Sequence, residues 1–229
     1  MTNQTDANIG KKAAAKAAVD LIKEGMVIGL GTGSTAEYFI SHLAERCRSG
    51  LHITAVATSI PSKEQAKSEG IPIIDINSRI SIDIAVDGAD EIDPQKRLIK
   101  GGGGALFREK IVAGMSKEFI VIADESKLVD HFGRFPLAVE ISPFAYRATL
   151  SKLEDHGYPG TLRQNSKREN FLTENGNYIV DINLPYPCTD PEKDDGHIRC
   201  IPGVIESGFF FNMAGRIIVG FFDDHIEIF

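Results

Sequence analysis

The sequence is short of cysteine, of long apolar runs and of positive charge. Its three cysteines, Cys47, Cys188 and Cys200, are odd in number and widely scattered, which is typical of reduced thiols in a cytosol. Apolar runs such as 217–222 extend over about six residues, whereas about 18 or more are needed to span a bilayer. The first residues show no basic segment followed by an apolar one, so no secretory signal is expected. These absences predict a soluble cytoplasmic protein.

The net negative charge also argues against nucleic acids and membranes as partners. The 229 residues carry a formal net charge of −7, with 42% hydrophobic and 25% charged residues, as in an ordinary globular protein. Duplex DNA and anionic membranes attract positively charged surfaces, so neither nucleic acid nor membrane is expected as a partner. An anionic small molecule is compatible with this composition, because a few cations and backbone amides suffice to bind one.

The first half of the chain alternates apolar strands with helical patterns. Strands are expected at 26–30, 53–57, 72–74, 82–86 and 119–123. Helices are expected at about 8–23, 34–47 and 103–114, and one more begins after Ser59, the predicted N-cap before Pro61. This order is typical of a Rossmann-like α/β fold, in which a mostly parallel sheet has helices on both faces.

The second half predicts a smaller α+β domain. Its expected elements are strands at 137–141, 161–164 and 178–183, a helix at 143–156, a loop at 185–196, and strands at 209–211 and 217–222 that return to the first domain. We therefore expect residues 1–132 and 206–229 to form the catalytic domain. Residues 133–205 are expected to form a small domain that serves as a lid or in oligomerisation.

A glycine-rich segment, Gly29–Ala36, joins the first strand to the next helix. Its glycines allow a sharp turn, and the free N–H groups of Ser34 and Thr35 lie at the positive end of the helix, where an anion binds. The segment lacks the Gly-Lys pair of a Walker A loop and the third glycine of a dinucleotide site. A capped strand–helix turn without a ligand is the alternative.

Two carboxylates follow the strand at 82–86. Asp87 and Asp90 are separated by the small residues Gly88 and Ala89, which leave room for a ligand. Paired acids can hydrogen-bond sugar hydroxyls, bind a divalent cation or transfer protons. A solvated acidic turn is the alternative.

Four consecutive glycines, 101–104, follow Lys100. Ordering them costs conformational entropy, which favours a nest of N–H donors beside a mobile cation over a simple linker. On the wheel of the helix expected at 103–114, Glu109 lies in an arc of four apolar residues, Ala105, Leu106, Val112 and Ala113. Such surroundings should raise the pKa of Glu109 and suit it as a general base. A half-exposed glutamate on a helix with other limits is the alternative.

Single residues add weaker indications. Lys11 in the first helix and Lys127 after the strand at 119–123 are candidate phosphate ligands, although each alone is more typical of a surface lysine. Cys188, His197 and Cys200 provide only three ligands at irregular spacing, so no metal site is predicted.

Taken together, Gly31–Thr35, Asp87–Asp90, Lys100–Gly103 and Glu109 resemble ribose-5-phosphate isomerases of the A type in order and spacing. The resemblance runs from about residue 11 to 140 and continues more weakly through 173–177 and 201–204. It implies a two-domain, cofactor-free homodimer or homotetramer that interconverts ribose 5-phosphate and ribulose 5-phosphate in the pentose phosphate pathway. It implies Glu109 as proton acceptor and a substrate-binding set made of Thr32, Gly33, Ser34, Thr35, Asp87, Gly88, Ala89, Asp90, Lys100, Gly101, Gly102, Gly103 and Lys127.

The chemistry of these residues agrees with an aldose–ketose isomerase. Glu109 would move a proton between C2 and C1 through a cis-enediolate, while Lys100 and glycine amides stabilise the oxyanion. Asp87 or Asp90 would assist ring opening, and the first glycine loop would hold the phosphate with the help of Lys11 or Lys127.

Other functions are compatible with parts of this pattern. They are a different sugar-phosphate isomerase, an amino-sugar phosphate deaminase, a CoA-transferase-like enzyme and a non-catalytic sugar-phosphate sensor. A sensor would need neither the acid at Glu109 nor the cation at Lys100, and the chain is short for the two halves of a CoA transferase.

Overall fold

The computed structural model describes residues 4–78 and 81–229. Its helices are α1 (Gln4–Val19), α2 (Ser34–Arg48), α3 (Ile60–Ser68), α4 (Leu106–Met115), α5 (Tyr146–Asp155) and α6 (Pro191–Arg199). Its strands are β1 (Val27–Leu30), β2 (Thr54–Ala57), β3 (Ile82–Asp87), β4 (Glu91–Ile92), β5 (Leu98–Ile99), β6 (Ser116–Asp124), β7 (Leu137–Ile141), β8 (Gly160–Leu162), β9 (Tyr178–Ile182), β10 (Val204–Ser207), β11 (Phe209–Phe210), β12 (Ala214–Gly220) and β13 (Ile226–Ile228).

These elements form two compact units. The first contains the described residues up to Ala89 together with Arg108–Lys127 and Met213–Phe229, and the second contains Asp90–Phe107 and Leu128–Asn212. The expected domains, 1–132 with 206–229 and 133–205, stay a prediction, because compactness within one chain does not show which parts fold independently.

The first unit is built on a six-stranded sheet in the order β13-β12-β6-β3-β1-β2. Neighbouring strands from β12 to β2 run parallel, and only the edge strand β13 is antiparallel to its neighbour. The predicted mostly parallel sheet is therefore confirmed. Because the strands are parallel, the polar residues that follow β1, β3 and β6 lie at one edge of the sheet, where ligands of such folds bind.

Helices cover both faces of this sheet. Ile28 and Leu30 of β1 are fully buried in one cluster with residues of α1 and α2. The intervening Gly29 faces the other way, where an added Cβ would lie 2.6 Å from a methyl carbon of Val112 in α4 and 2.9 Å from Cβ of Ala85. Since successive strand residues point to opposite faces, α4 packs on the face opposite α1 and α2.

Helix α1 approaches β12 closely enough to exclude side chains at the contact. An added Cβ at Gly10 would lie 2.3 Å from the carbonyl oxygen of Gly220, and one at Gly220 would lie 1.9 Å from that of Gly10. Real Cβ atoms do not come so close, so both positions require glycine. This contact fixes the position of α1 and hence of Lys11, the next residue.

The second unit holds two antiparallel sheets. One has four strands in the order β10-β7-β9-β8, and the other has three in the order β11-β5-β4. Phe132 and Phe209 pack 6.0 Å apart between ring centroids in its core. The expected smaller α+β part is confirmed, and the structure shows that its sheets are antiparallel.

Several predicted elements differ from the structure, and the first helix, expected at about 8–23, is Gln4–Val19. The strand at 72–74 is reduced to one bridge between Ile73 and Ala55, since Pro72 has no N–H for a ladder. The loop at 185–196 contains the start of α6, which Asp190 caps by accepting from Lys193 N–H, with Pro191 as the first helical residue. The helix expected from residue 103 begins only at Leu106.

The strands at 209–211 and 217–222 were expected to return to the first domain, and they behave differently from each other. β12 pairs with β6 in the large sheet, whereas β11 pairs with β5 in the second unit. Among the described residues, no helix is long and apolar enough to cross a membrane.

Candidate active site

The glycine loop after β1 places a helix N-terminus beside a cation. Gly33 has φ +110°, which turns the chain into α2 at Ser34, and as the N-cap residue it makes no side-chain cap for this helix end. Lys11 Nζ donates to Ser34 Oγ over 3.0 Å. The structure thus brings two predicted residues together at an exposed, positively polarised helix end, which suits a phosphate.

A chain of hydroxyl groups supports the underside of this loop. Thr32 donates to Ser59 Oγ over 2.7 Å, Ser59 donates to Ser62 Oγ over 3.0 Å, and Ser62 donates to the carbonyl oxygen of Gly31 over 2.6 Å. Thr58 Oγ1 lies 2.7 Å from Thr32 Oγ1. Ser59 also caps α3 as predicted, by accepting from Ser62 N–H. The hydroxyl of Thr32 therefore holds the loop, and sequence reasoning missed the part played by Thr58 and Ser62.

Asp87 is a buried carboxylate fixed by the backbone. It ends β3, is 3% exposed, and its Oδ1 accepts from Thr32 N–H over 3.0 Å and from Gly88 N–H over 2.7 Å. A Cβ added at Gly31 would lie 2.2 Å from both Cγ and Oδ1 of Asp87. The glycine loop and the carboxylate are thus in direct contact, which requires glycine at residue 31.

Glu109 shares a narrow crevice with Asp87. It lies in the first turn of α4, where it is 5% exposed. The crevice is too narrow to admit a water molecule and is lined by residues of β1, β3, β6, α4 and the loops between them, namely Gly29, Gly31, Thr58, Ala85, Val86, Asp87, Glu109, Val112, Ala113 and Phe119. The burial expected from the helical wheel is found, so two buried carboxylates lie beside the glycine loop.

Lys127 lies in a short 3-10 turn, Glu125–Lys127, that follows β6. The turn is held by Asp124, which is 1% exposed and accepts from the N–H of Ser126 over 3.0 Å and from its hydroxyl. Lys127 is half-buried at the same edge of the sheet as the glycine loop. Its role in binding phosphate stays a prediction.

The glycine run and its neighbouring charges lie in the second unit. Asp90 Oδ2 accepts from Gly102 N–H over 2.8 Å. Lys100 is 3% exposed, with Nζ 5.6 Å from the ring centroid of Phe210. The expectation of a mobile cation is therefore wrong, because Lys100 is buried against an aromatic ring. Positive φ angles at Gly101 (+111°) and Gly104 (+80°) make the run a turn before α4.

Arg163 is a residue that sequence reasoning missed. Its Nη1 donates to the carbonyl oxygens of Gly101 and Gly102 over 2.8 Å and 3.1 Å. These contacts join residues about 60 positions apart in the sequence, so no local pattern indicates them.

The segment 173–177, part of the weaker resemblance, surrounds a buried acid. Glu140 is 0% exposed, and its Oε1 accepts from Thr173 Oγ1 (3.0 Å), Asn175 Nδ2 (3.1 Å) and Asn177 Nδ2 (2.8 Å). This segment therefore satisfies one oxygen of a buried carboxylate within the second unit.

The three residues weighed as metal ligands make other contacts. Cys188 donates to Asp194 Oδ2 over 3.4 Å, and His197 Nδ1 lies 3.3 Å from the hydroxyl of Tyr158. Within 4–78 and 81–229, no group of three or more His, Cys, Asp and Glu residues is arranged to hold a metal ion.

Comparison with known proteins identifies close relatives. Residues 54–224 match the family model described as ribose 5-phosphate isomerase A (phosphoriboisomerase A). The chain is 51% identical over 220 residues to a ribose-5-phosphate isomerase A of Protochlamydia amoebophila, a match that covers 96% of this chain and 95% of the relative. A solved ribose 5-phosphate isomerase A of Methanocaldococcus jannaschii is 39% identical with a TM-score of 0.90, covering 96% of this chain and 97% of that one. A D-ribose-5-phosphate isomerase solved in complex with phospho-erythronic acid is 41% identical with a TM-score of 0.91, covering 96% of both chains.

Proposed function

Because the chain belongs to the ribose 5-phosphate isomerase A family of aldose–ketose isomerases, we propose that it interconverts D-ribose 5-phosphate and D-ribulose 5-phosphate through an enediolate. The observation that carries this proposal is the crevice in which Glu109 and Asp87, both buried, lie beside the glycine loop. Carboxylates held in desolvated positions are common at catalytic sites, and proton transfer is a task that such a group can perform.

Glu109 is proposed as the base that moves the proton. In the forward direction its carboxylate takes the proton from C2 of the open-chain aldose, the electron pair forms the C1–C2 double bond, and the aldehyde oxygen becomes the enediolate oxygen. After a proton moves between the two oxygens, Glu109 returns its proton to C1 and the ketose forms. One carboxylate suffices, because a cis-enediolate is planar and presents the same face of C1 and of C2 to a base on that side. General base catalysis by such a group contributes about 10²–10⁴-fold.

Asp87 and Asp90 are proposed to assist ring opening and to orient the sugar hydroxyls. Asp87 suits this role because two peptide N–H groups hold its Oδ1 in place. Asp90 is likewise held by the N–H of Gly102. A carboxylate that is already oriented loses little entropy when it binds a hydroxyl.

Lys100 and the amides of Gly101 and Gly103 are proposed to stabilise the negative charge of the enediolate, while Gly102, whose N–H is donated to Asp90, shapes the loop between them. The burial of Lys100 strengthens its field, since charge interactions grow as water is excluded. Donors fixed toward a developing oxyanion are each worth about 3 kcal/mol in other enzymes.

The N-terminus of α2 is proposed to bind the phosphate. Its uncapped amides and the ammonium group of Lys11, which contacts Ser34, provide the donors and the positive charge that a phosphate dianion requires. Lys127 is proposed as a further cation for the same group, and Thr32, Gly33 and Thr35 as parts of the binding loop, with Gly88 and Ala89 leaving space for the sugar.

The remaining expectations also belong to this proposal. We propose a homodimer, with a homotetramer as the alternative, that acts in the cytoplasm in the non-oxidative pentose phosphate pathway. Proton transfer by fixed donors needs no metal or organic cofactor, so activity should survive in EDTA. Loss of activity on chelation would contradict this part.

A substrate panel with isotope labelling tests the reaction. The purified chain is assayed with ribose 5-phosphate and other aldose phosphates in D₂O, and deuterium at C1 and C2 is followed by NMR. Turnover of ribose 5-phosphate, with deuterium entering at the carbon that receives the proton, is expected. Preference for a hexose or amino-sugar phosphate would instead support the alternative isomerase or the deaminase.

Glu109→Gln tests the base. The amide keeps the size of the side chain but cannot accept the proton, so kcat should fall by about 10³-fold. Phospho-erythronic acid, whose planar carboxylate resembles an enediolate, should still bind. Glu118→Gln is the matched control, because Glu118 of β6 pairs with Arg216 of β12 and is assigned no catalytic role. A Glu109→Gln variant with near-normal kcat would show that the base is a different group.

A further inference from the structure

The glycine run is held from both sides by charged side chains of the second unit. On one side Asp90 accepts from Gly102 N–H over 2.8 Å. On the other side Arg163 donates to the carbonyl oxygens of Gly101 and Gly102 over 2.8 Å and 3.1 Å. Two successive peptide groups of the run are therefore fixed.

The guanidinium that does this is itself fixed. Arg163 follows β8, its side chain is 16% exposed, and it forms a two-point ion pair with Asp181 of β9, in which Nε donates to Oδ2 over 2.9 Å and Nη2 donates to Oδ1. The pair with Asp181 uses Nε and Nη2, and Nη1 is directed to the two glycine carbonyls. A lysine could pair with Asp181 but could not reproduce this fork.

Fixing a carbonyl also fixes the N–H of the same peptide group. The peptide bond is planar and trans, so the N–H of Gly103 points opposite to the carbonyl of Gly102. A positive charge on that carbonyl further polarises the peptide group and strengthens its N–H as a donor. Without such support a four-glycine segment samples many conformations, and ordering it on binding costs conformational entropy.

We propose that Arg163 is a positioning residue, a role that rests on the proposed isomerase function: it orients the peptide groups of Gly101–Gly103 so that the N–H of Gly103 and the adjacent Lys100 stabilise the enediolate, while the N–H of Gly102 is held by Asp90. Arg163 touches neither substrate nor reacting atoms. It acts through the backbone of the run, so its loss should lower kcat more than it raises KM for the sugar phosphate.

The test compares Arg163→Met and Arg163→Lys with Arg216→Met. Arg216 forms a similar two-point ion pair with Glu118 in the first unit, with Nε–Oε1 2.6 Å and Nη2–Oε2 3.0 Å, and is assigned no part in the site. We expect kcat to fall at least about 30-fold in Arg163→Met and about 10-fold in Arg163→Lys, with KM changed less than about threefold. Arg216→Met should keep kcat within about twofold, because a partly exposed ion pair away from the site contributes little.

Inhibitor binding separates positioning from general stability. Phospho-erythronic acid should lose at least about tenfold in affinity for Arg163→Lys, in parallel with kcat, because both depend on the oriented N–H groups. Inorganic phosphate should bind the variant as it binds the wild type. Arg163→Lys keeps a cation for Asp181 and should fold, which circular dichroism and urea unfolding will verify.

The outcomes distinguish this inference from the proposed function. If the wild type isomerises ribose 5-phosphate and Arg163→Lys matches Arg216→Met in kcat and in inhibitor affinity, Arg163 does not position the run. An inactive wild type would refute the proposed function itself, and the positioning role with it. If both Arg163 variants fail to fold while Arg216→Met folds, Arg163 is a stability residue and the positioning role is overturned.

Discussion

The close contact between Gly31 and Asp87 predicts that Gly31→Ala displaces the Asp87 carboxylate, and this variant therefore tests whether the contact holds the site together. An alanine Cβ would lie 2.2 Å from Cγ and from Oδ1 of Asp87 and 2.6 Å from its Cα. Carbon atoms in contact prefer about 3.5–4.0 Å, so the carboxyl group must move by about 1 Å or more. The loop cannot yield easily, because Gly31 N–H donates to Val86 O over 2.9 Å and Ser62 holds the carbonyl of Gly31.

The expected cost has two parts. Overpacking at a rigid site costs about 1–3 kcal/mol. Loss of the 3.0 Å bond from Thr32 N–H to the buried Asp87 carboxylate costs about another 1.5–3 kcal/mol. We therefore expect Gly31→Ala to lower the free energy of unfolding by about 3–5 kcal/mol. Because a carboxylate misplaced by 1 Å loses its orientation, kcat/KM for ribose 5-phosphate should fall about 10²-fold.

Urea unfolding and a coupled isomerase assay measure the two effects. Gly114→Ala is the control, since Gly114 lies in α4 and an added Cβ there has its nearest neighbour, Met213 Cε, at 4.0 Å. That variant should match the wild type in activity and be equally or slightly more stable. If Gly31→Ala behaves like Gly114→Ala in both measurements, the contact between loop and carboxylate has no role in holding the site.

Two further predictions concern the second unit. Glu140→Ala removes a fully buried carboxylate that accepts three hydrogen bonds and should lower the free energy of unfolding by about 3–5 kcal/mol in urea, whereas the exposed Glu154→Ala should change it by less than about 0.5 kcal/mol. Burial and the hydrogen bond to Asp194 raise the pKa of Cys188 to about 12, so its thiolate is scarce near neutral pH and appears only as the pH rises toward that value. Iodoacetamide at pH 8 should therefore label the exposed Cys200 long before Cys188, as judged by mass spectrometry, and comparable rates would contradict this.

Much of the fold follows from local patterns. The buried strands β1, β3, β6 and β7 lie within a few residues of the predicted bounds, because fully buried parallel or central strands are continuous apolar runs. Ser59 was identifiable as a cap from the proline that follows it. The burial of Glu109 followed from the apolar residues three and four positions away on its helix.

The failures have physical causes. Helix α6 has a weak apolar pattern and many charged residues, so its composition resembled a loop, although Asp190 and Pro191 were signals of a helix start. The burial of Lys100 depends on Phe210, which is distant in sequence. The contact of Arg163 with the glycine run also depends on tertiary structure, which no window of the sequence contains.

The paired glycines where α1 meets β12 have a consequence for how variation in this chain should be interpreted. A methyl group at Gly10 or Gly220 would clash with the opposite backbone and displace α1 from β12. The ammonium group of Lys11 would then move away from Ser34. Affinity for the phosphate of the substrate would then fall, even though every polar residue of the proposed binding loop is unchanged. A survey of natural variants that scored only charged positions would overlook these two uncharged ones.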